Sequence, residues 1–124
     1  MALVMLIEEE VPLLRLYEGA LSLDHEVFAS ESTETARQKL ASERPDLIVL
    51  GLNRQLSGVT LLEYMRSQGT FGSVPVMIMV TEPGQMPVMD GLALTMLSRP
   101  VTVSTLRRTM ALILSQVPAS RSRE

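Results

Sequence analysis

The sequence of 124 residues contains no cysteine, no tryptophan and a single histidine, His25. Without cysteine there are no disulfides, no thiol nucleophile and no cysteine-bound zinc site. One histidine argues against a histidine-rich metal site and against Ser-His-Asp hydrolysis. The longest apolar stretches are also far shorter than the about 20 residues that a membrane-spanning helix needs. These absences leave a small protein whose chemistry must come from other side chains.

The charge balance and the start of the chain restrict its partners and its location. There are 14 acidic and 11 basic residues, which gives a net charge of −3. This balance argues against nucleic-acid binding through a basic surface. The first seven residues have no basic segment before them and run directly into three glutamates, which is not the pattern of a secretory signal. We therefore expect a cytoplasmic protein that binds neither nucleic acid nor membrane.

The length and composition predict one folded domain. Hydrophobic residues make up 46% of the chain and charged residues 20%, which is enough apolar surface for one core. We expect the domain to cover residues 1–117. Residues 118–124 are polar and are predicted to be a tail or the start of a linker.

Short apolar runs alternate along the chain with segments of helical periodicity. The predicted strands cover residues 3–7, 26–29, 47–50, 74–80 and 92–97. The predicted helices cover residues 11–23, a segment capped by Ser32 or Thr33, a segment after Gly58, and residues 104–117. This alternation predicts a parallel sheet with helices on both faces. In such a sheet, a functional site lies where the strands end.

Four motifs at these strand ends resemble the receiver domain of bacterial response regulators, in the family's order and at nearly its spacing. They are Leu6-Ile7-Glu8-Glu9-Glu10, Pro45-Asp46-Leu47-Ile48-Val49-Leu50, Pro75-Val76-Met77-Ile78-Met79-Val80-Thr81 and Ser98-Arg99-Pro100. The resemblance covers essentially the whole chain. It implies a flavodoxin-like three-layer α/β fold with a doubly wound, five-stranded parallel sheet in the order 2-1-3-4-5. Because the segment 82–91 contains two prolines, we expect the family's fourth helix to be short or absent.

The resemblance also implies where a phosphorylation site would lie. In that family an acidic pair holds Mg²⁺, an aspartate accepts the phosphoryl group, and a hydroxyl residue and a Lys-Pro pair complete the site. Glu8 and Glu9 match the acidic pair, Thr81 matches the hydroxyl residue, and Arg99 replaces the lysine before Pro100. The acceptor position falls on Gly51, which has no side chain. Since the reaction needs a carboxylate nucleophile, we expect no aspartyl phosphate at this position.

Further departures from the family argue against magnesium binding. Glutamates in place of aspartates move each carboxylate by about one methylene, which octahedral Mg²⁺ tolerates poorly. The loop after Gly51 is one residue short and carries Arg54. We therefore predict no cofactor and weak or lost Mg²⁺ binding, with Glu8, Glu9 and Asn53 as vestigial ligand candidates. Arg99 is expected to enter the pocket and to pair with Glu8 or Glu9, since its planar guanidinium stays charged.

The leading hypothesis is a degenerate receiver, or pseudo-receiver, that is not an enzyme and acts as a protein-interaction module independent of phosphorylation. The expected partners are signalling proteins, either a histidine kinase or an output domain or protein, or a second copy of the chain. The first and last helices are candidate surfaces. So is the segment 82–91, with its apolar residues Met86, Val88 and Met89.

Two alternatives remain open from the sequence. In the first, the receiver is modified at a non-standard hydroxyl, of which Ser57, Thr60 and Thr81 are candidates, although Thr81 is equally compatible with an ordinary strand-end residue. In the second, the chain is a small flavodoxin-like cofactor binder. The turn after the first predicted strand is acidic and lacks the glycine and hydroxyl residues that cradle a phosphate, which argues against the second. Asp46 lies at the start of its strand, so a replacement acceptor there is not expected.

Overall fold

The computed structural model describes residues 2–52, 58–81 and 91–116. Within these ranges the chain forms five strands and four helices. The strands are β1 (Leu3–Ile7), β2 (Glu26–Ser30), β3 (Leu47–Gly51), β4 (Pro75–Val80) and β5 (Ala93–Ser98). The helices are α1 (Val11–Leu21), α2 (Thr33–Leu40), α3 (Val59–Gln68) and α4 (Val103–Leu114).

The strands form one parallel sheet in the order β2-β1-β3-β4-β5. This arrangement confirms the predicted flavodoxin-like fold and its strand order. Parallel neighbours require crossover connections, and the helices between the strands supply them. Because all strands run in the same direction, the residues that follow them meet at one edge of the sheet.

Two hydrophobic cores cover the two faces of the sheet. In β1, Met5 and Ile7 pack in the core that contains α2 and α3, whereas Val4 and Leu6 pack in the core that contains α1 and α4. The side chains of β3 alternate in the same way, so both central strands are buried on both faces. Each fully buried aliphatic side chain contributes about 1.5–3 kcal/mol to folding. These uninterrupted apolar runs therefore fix the middle of the sheet.

The helix boundaries follow local capping, with small differences from the prediction. Ser32 is the N-cap of α2, and its hydroxyl accepts a hydrogen bond from the backbone N–H of Thr35 at 3.3 Å. The helix α1 ends at Leu21, two residues earlier than predicted. The spacing of about three and four residues also places Leu16 in the apolar stripe of this helix, but Leu16 is 54% exposed. The stripe instead uses residues spaced by three and four along one face, namely Leu14, Tyr17 and Leu21.

Several predictions concern residues outside the described ranges. Asn53, Arg54 and Ser57 lie in one such segment, and residues 82–90, where the fourth helix of the family was expected to be short or absent, form another. The predicted tail at 118–124 is also outside. In the described part of the chain, no helix has the length and apolar character required to cross a membrane.

Candidate functional site

The edge of the sheet where the strands end brings together residues that are far apart in sequence. Glu8 follows β1, Gly51 is the last residue of β3, Thr81 follows β4 and Arg99 follows β5. The backbone N–H of Arg99 donates to the carbonyl of Val80 at 2.8 Å, which continues the pairing of β4 with β5 by one residue. This bond fixes the backbone of Arg99 at the end of β4.

Arg99 and Glu8 form an ion pair at this edge. Nη2 of Arg99 lies 2.8 Å from Oε1 of Glu8, and the side chains are 17% and 3% exposed, respectively. The pairing of Arg99 with one of the two glutamates is thus confirmed, with Glu8 as the partner. A carboxylate this deeply buried is strongly destabilising unless a cation or several donors compensate it. Arg99 supplies that compensation from 91 residues away.

The second oxygen of the Glu8 carboxylate is also engaged. Oε2 accepts a hydrogen bond from the backbone N–H of Glu10 at 3.1 Å. Glu10 is the N-cap residue of α1, and the first N–H groups of a helix lack partners within the helix. The positive end of the helix dipole favours a negative charge at this place. Glu8 is therefore held from two directions, by a guanidinium and by the start of a helix.

Gly51 lies against this ion pair with no space for a side chain. A Cβ atom built on Gly51 would be 2.2 Å from Oε1 of Glu8 and 2.5 Å from Nη2 of Arg99. Real Cβ contacts essentially never fall below 3.0 Å. The volume that a side chain at position 51 would occupy is thus filled by the Glu8–Arg99 pair.

Tyr17 joins α1 to the segment between β5 and α4, a role that the sequence analysis did not identify. Its hydroxyl donates a hydrogen bond to the carbonyl of Val101 at 2.8 Å, and the side chain is buried. Burial raises the pKa of Tyr17, Arg99 opposes this rise, and Glu8 and Glu10 add to it. The sequence did contain a signal for this contact, because Tyr17 lies among the apolar residues of α1 and a buried phenol normally needs a hydrogen-bond partner.

Comparison of the sequence with known proteins gives a partial match to a signalling protein. No known protein-family model matches the chain. A segment of 82 residues, 64% of the chain, is 29% identical to the sensor histidine kinase TmoS of Ectopseudomonas mendocina. The chain matches only 8% of the length of that kinase.

Solved receiver domains superpose on nearly the whole chain. The receiver domain of the Francisella response regulator 1452 has a TM-score of 0.81 and 14% identity, with 95% of this chain and 100% of that one covered. The chemotaxis response regulator CheY4 of Vibrio cholerae has a TM-score of 0.80 and 20% identity, with 91% and 98% covered. A two-component response regulator from Clostridium difficile has a TM-score of 0.75 and 19% identity, with 96% and 100% covered.

The chain has the receiver-domain fold. In this fold the Glu8–Arg99 pair lies at the edge where the resemblance places a metal and a phosphoryl group. Both carboxylate oxygens of Glu8 are already engaged, Gly51 offers no side-chain ligand, and the Arg99 guanidinium lies 2.8 Å from Oε1 of Glu8. Mg²⁺ requires near-ideal octahedral oxygen coordination. The residues present therefore do not fit Mg²⁺, and the described ranges contain no group of three His, Cys, Asp or Glu residues that could hold a metal.

The remaining residues singled out from the sequence are more exposed. Glu9, Thr81 and Pro100 are exposed at this same edge of the receiver-domain fold, and the Arg99–Pro100 peptide bond is cis. Asn53 lies outside the described residues. The structure thus brings together Glu8 and Gly51, which are buried, and Arg99, which is partly buried.

Asp46 lies at the opposite edge of the sheet and has a structural contact. It is buried, and its Oδ2 accepts a hydrogen bond from the backbone N–H of Leu3 at 2.8 Å. Its own N–H donates to the carbonyl of Leu3, also at 2.8 Å. These bonds join the starts of β1 and β3. Their position agrees with the expectation that Asp46 does not replace the acceptor.

Proposed function

We propose that this chain is an atypical receiver domain of two-component-type signalling, which acts as a protein-interaction module without being phosphorylated. The receiver-domain fold and the partial identity to a sensor histidine kinase support the signalling context. On this proposal the chain is not an enzyme and uses no cofactor. Its cytoplasmic location, expected from the sequence, is part of the same proposal.

The observation that carries the proposal is the Glu8–Arg99 ion pair packed against Gly51. Transfer of a phosphoryl group to a receiver needs a carboxylate nucleophile and a metal that offsets charge. Position 51 has no side chain, and its neighbouring volume holds a guanidinium and a carboxylate. The arginine supplies a permanent positive charge, because a guanidinium does not lose its proton in the physiological range. The site therefore has its charges balanced from within.

This internal balance implies one stable state of the strand-end region. A modification or ligand shifts a conformational equilibrium only by its difference in affinity for the two states. With no phosphoryl group and no metal at the site, the output must come from protein contacts. The candidate partners are a histidine kinase, an output domain or protein, or a second copy of the chain. The helices α1 and α4 pack against each other and expose Leu16 and Leu112, which makes them the first surface to test.

Intact-mass measurement tests the absence of phosphorylation. The chain is incubated with Mg²⁺ and acetyl phosphate, beside an ordinary receiver domain with its acceptor aspartate as the positive control. We expect no added phosphate on this chain while the control is modified. A stable adduct would overturn the proposal, and its mapping to Ser57, Thr60 or Thr81 would support modification at a non-standard site.

Three further measurements separate the remaining alternatives. Titration with Mg²⁺, followed by amide NMR shifts, should leave Glu8, Glu9 and Gly51 unchanged, whereas saturable shifts there would contradict the inferred loss of metal binding. A purified protein without visible absorbance would exclude the flavin form of the cofactor-binding alternative.

For a signalling partner obtained by pull-down, the affinity of the chain for that partner should be the same with and without acetyl phosphate. An affinity that depends on the phosphodonor would contradict phosphorylation-independent binding.

A further inference from the structure

A cleft of about 260 Å³ lies between the end of α1 and the middle of α4. Leu21 and Met110 contribute apolar surface to it, and the polar lining comes from Asp24, His25 and two arginines of α4. Asp24 and His25 immediately precede β2, so the cleft is at the edge where the strands begin. It is therefore separate from the Glu8–Arg99 pair, which lies where the strands end.

The polar lining of this cleft carries an excess of positive charge. Arg107 and Arg108 contribute two guanidinium groups, and Asp24 contributes one carboxylate. Nη2 of Arg107 is 2.8 Å from Oδ2 of Asp24, a contact that orients the guanidinium between the two elements. A guanidinium has five N–H donors, so this bond leaves most of its donor capacity for another acceptor. Arg108 has no hydrogen bond or ion pair with the residues that the structure describes.

His25 adds an unsatisfied polar atom to the same cleft. Its Nδ1 is buried and has no hydrogen-bond partner among residues 2–52, 58–81 and 91–116. Buried polar atoms are nearly always paired, because burial without a partner costs the full loss of hydration. Two guanidinium groups and the ring of His25 therefore line a space that holds one acidic side chain.

We propose that this cleft binds a small dianion of the phosphate class, either free phosphate or a phosphomonoester. The planar fork of a guanidinium matches the spacing of phosphate oxygens, and the charged hydrogen bonds between them are stronger than neutral ones. The two guanidinium groups outweigh the one carboxylate of the lining, which favours an anion. The pairing of Arg107 with Asp24 leaves Arg108 as the group that binds the ligand most directly, with His25 next to it in the lining. This inference is independent of the proposed signalling function.

NMR titration of the full chain tests the proposal with three probes at equal ionic strength: inorganic phosphate, phenyl phosphate and acetate. We expect saturable shifts of the His25 ring and of the arginine side-chain N–H signals with at least one of the phosphate probes. Arg108→Ala should weaken that binding about tenfold, the effect of losing one charged hydrogen bond. Arg15→Ala removes the same charge from α1 outside the cleft and should leave the affinity unchanged.

The two phosphate probes identify the source of the ligand. Binding of phosphate alone indicates the free anion, and binding of phenyl phosphate indicates an organic phosphate. Equal affinity for acetate, or equal weakening by the Arg108→Ala and Arg15→Ala variants, would overturn the proposal. So would the absence of saturable shifts at His25 with both phosphate probes. The His25→Phe variant, checked for folding by urea unfolding, should bind more weakly than the unmodified chain.

Discussion

A Cβ atom on Gly51 would lie 2.2 Å from Oε1 of Glu8, although the two residues belong to different strand ends. The carboxylate of Glu8 thereby limits the size of the residue at position 51. The reverse also holds, because a side chain at position 51 would displace Glu8 or Arg99. The two positions are therefore coupled through space, and this coupling can be measured as a change in stability.

Substitution of Gly51 by alanine should destabilise the protein. The added methyl group must displace Glu8 or Arg99, and overpacking of this kind costs about 1–3 kcal/mol. Gly19 provides a matched control, since it lies in α1 and a Cβ atom there meets nothing within 4 Å. Gly19→Ala should stabilise the chain by about 0.5–1 kcal/mol, because alanine is favoured over glycine in helices. Urea unfolding of the two variants should give changes of opposite sign.

An equal gain of stability in both glycine variants would contradict the packing of the ion pair against Gly51. The same comparison extends to Gly51→Asp. We expect this variant to be less stable than Gly51→Ala, since it adds a second carboxylate next to Glu8. Incubation with acetyl phosphate should leave its mass unchanged as long as Arg99 occupies the site.

Removal of one member of the Glu8–Arg99 pair should cost more than removal of both. Arg99→Gln leaves the buried Glu8 carboxylate without its cation, and breaking a buried pair in this way costs about 3 kcal/mol. The Glu8→Gln/Arg99→Gln double variant should recover part of this loss, because it buries no unpaired charge. A double-mutant cycle by urea unfolding measures the coupling directly.

The exposed pair of Arg15 and Glu18 is the control for this cycle. Its atoms are 3.4 Å apart and the arginine side chain is 69% exposed, so its coupling should stay below about 1 kcal/mol. A coupling between Glu8 and Arg99 no larger than that of the exposed pair would argue against an internally balanced site.

Tyr17 should make the protein less stable in alkaline solution. Burial raises its pKa above the ordinary value of 10.0 that it has in the unfolded chain. The folded protein therefore keeps a proton that the unfolded chain loses. Its stability is at its full value below about pH 10 and falls as the pH rises through the folded pKa. Urea unfolding across this range should show the fall, and Tyr17→Phe should reduce it.

The Tyr64→Phe variant isolates this effect, because the chain has two tyrosines and Tyr17 is then the one that remains. Ultraviolet difference spectroscopy of the variant then reports the pKa of Tyr17, which should exceed 10.0. A titration at or below that value would show that the hydroxyl is not buried against Val101. At neutral pH, Tyr17→Phe should cost about 1 kcal/mol for the lost hydrogen bond.

Asp46 should matter for stability and not for phosphorylation. Asp46→Ala leaves the buried backbone N–H of Leu3 without the carboxylate that accepts its hydrogen bond, which costs about 1–3 kcal/mol. The variant should show the same mass as the unmodified chain after incubation with acetyl phosphate. As a control, Asp24→Ala removes an exposed acid and should change the free energy of unfolding by less than about 1 kcal/mol.

The middle of the sheet could be predicted from sequence because the hydrophobic pattern of its strands is local. The strands β1 and β3 are continuous apolar runs, and their burial on both faces follows directly from that pattern. The same reasoning placed Glu8 and Arg99 at one edge, since parallel strands end together. Their pairing followed from opposite charge at a shared edge.

Other features depend on contacts that no local pattern encodes. Tyr17 and Val101 are 84 residues apart, and the partner of the hydroxyl is a backbone carbonyl with no sequence signature. Leu16 is likewise exposed although its spacing in α1 is compatible with the apolar stripe. The cleft at His25 likewise requires Arg107, which is distant in the chain and meets Asp24 only in the folded protein.

The fit of Glu8 and Arg99 over Gly51 also restricts the mutational routes that leave this sequence. An acidic residue introduced at position 51 by itself meets an occupied volume. Loss of Arg99 alone leaves the buried carboxylate of Glu8 without its cation, and loss of Glu8 alone leaves the guanidinium of Arg99 without its anion. Each single substitution towards an acidic residue at position 51 therefore lowers stability, and only combined changes avoid this cost. The loss of stability in each single variant therefore favours retention of Glu8, Gly51 and Arg99 together.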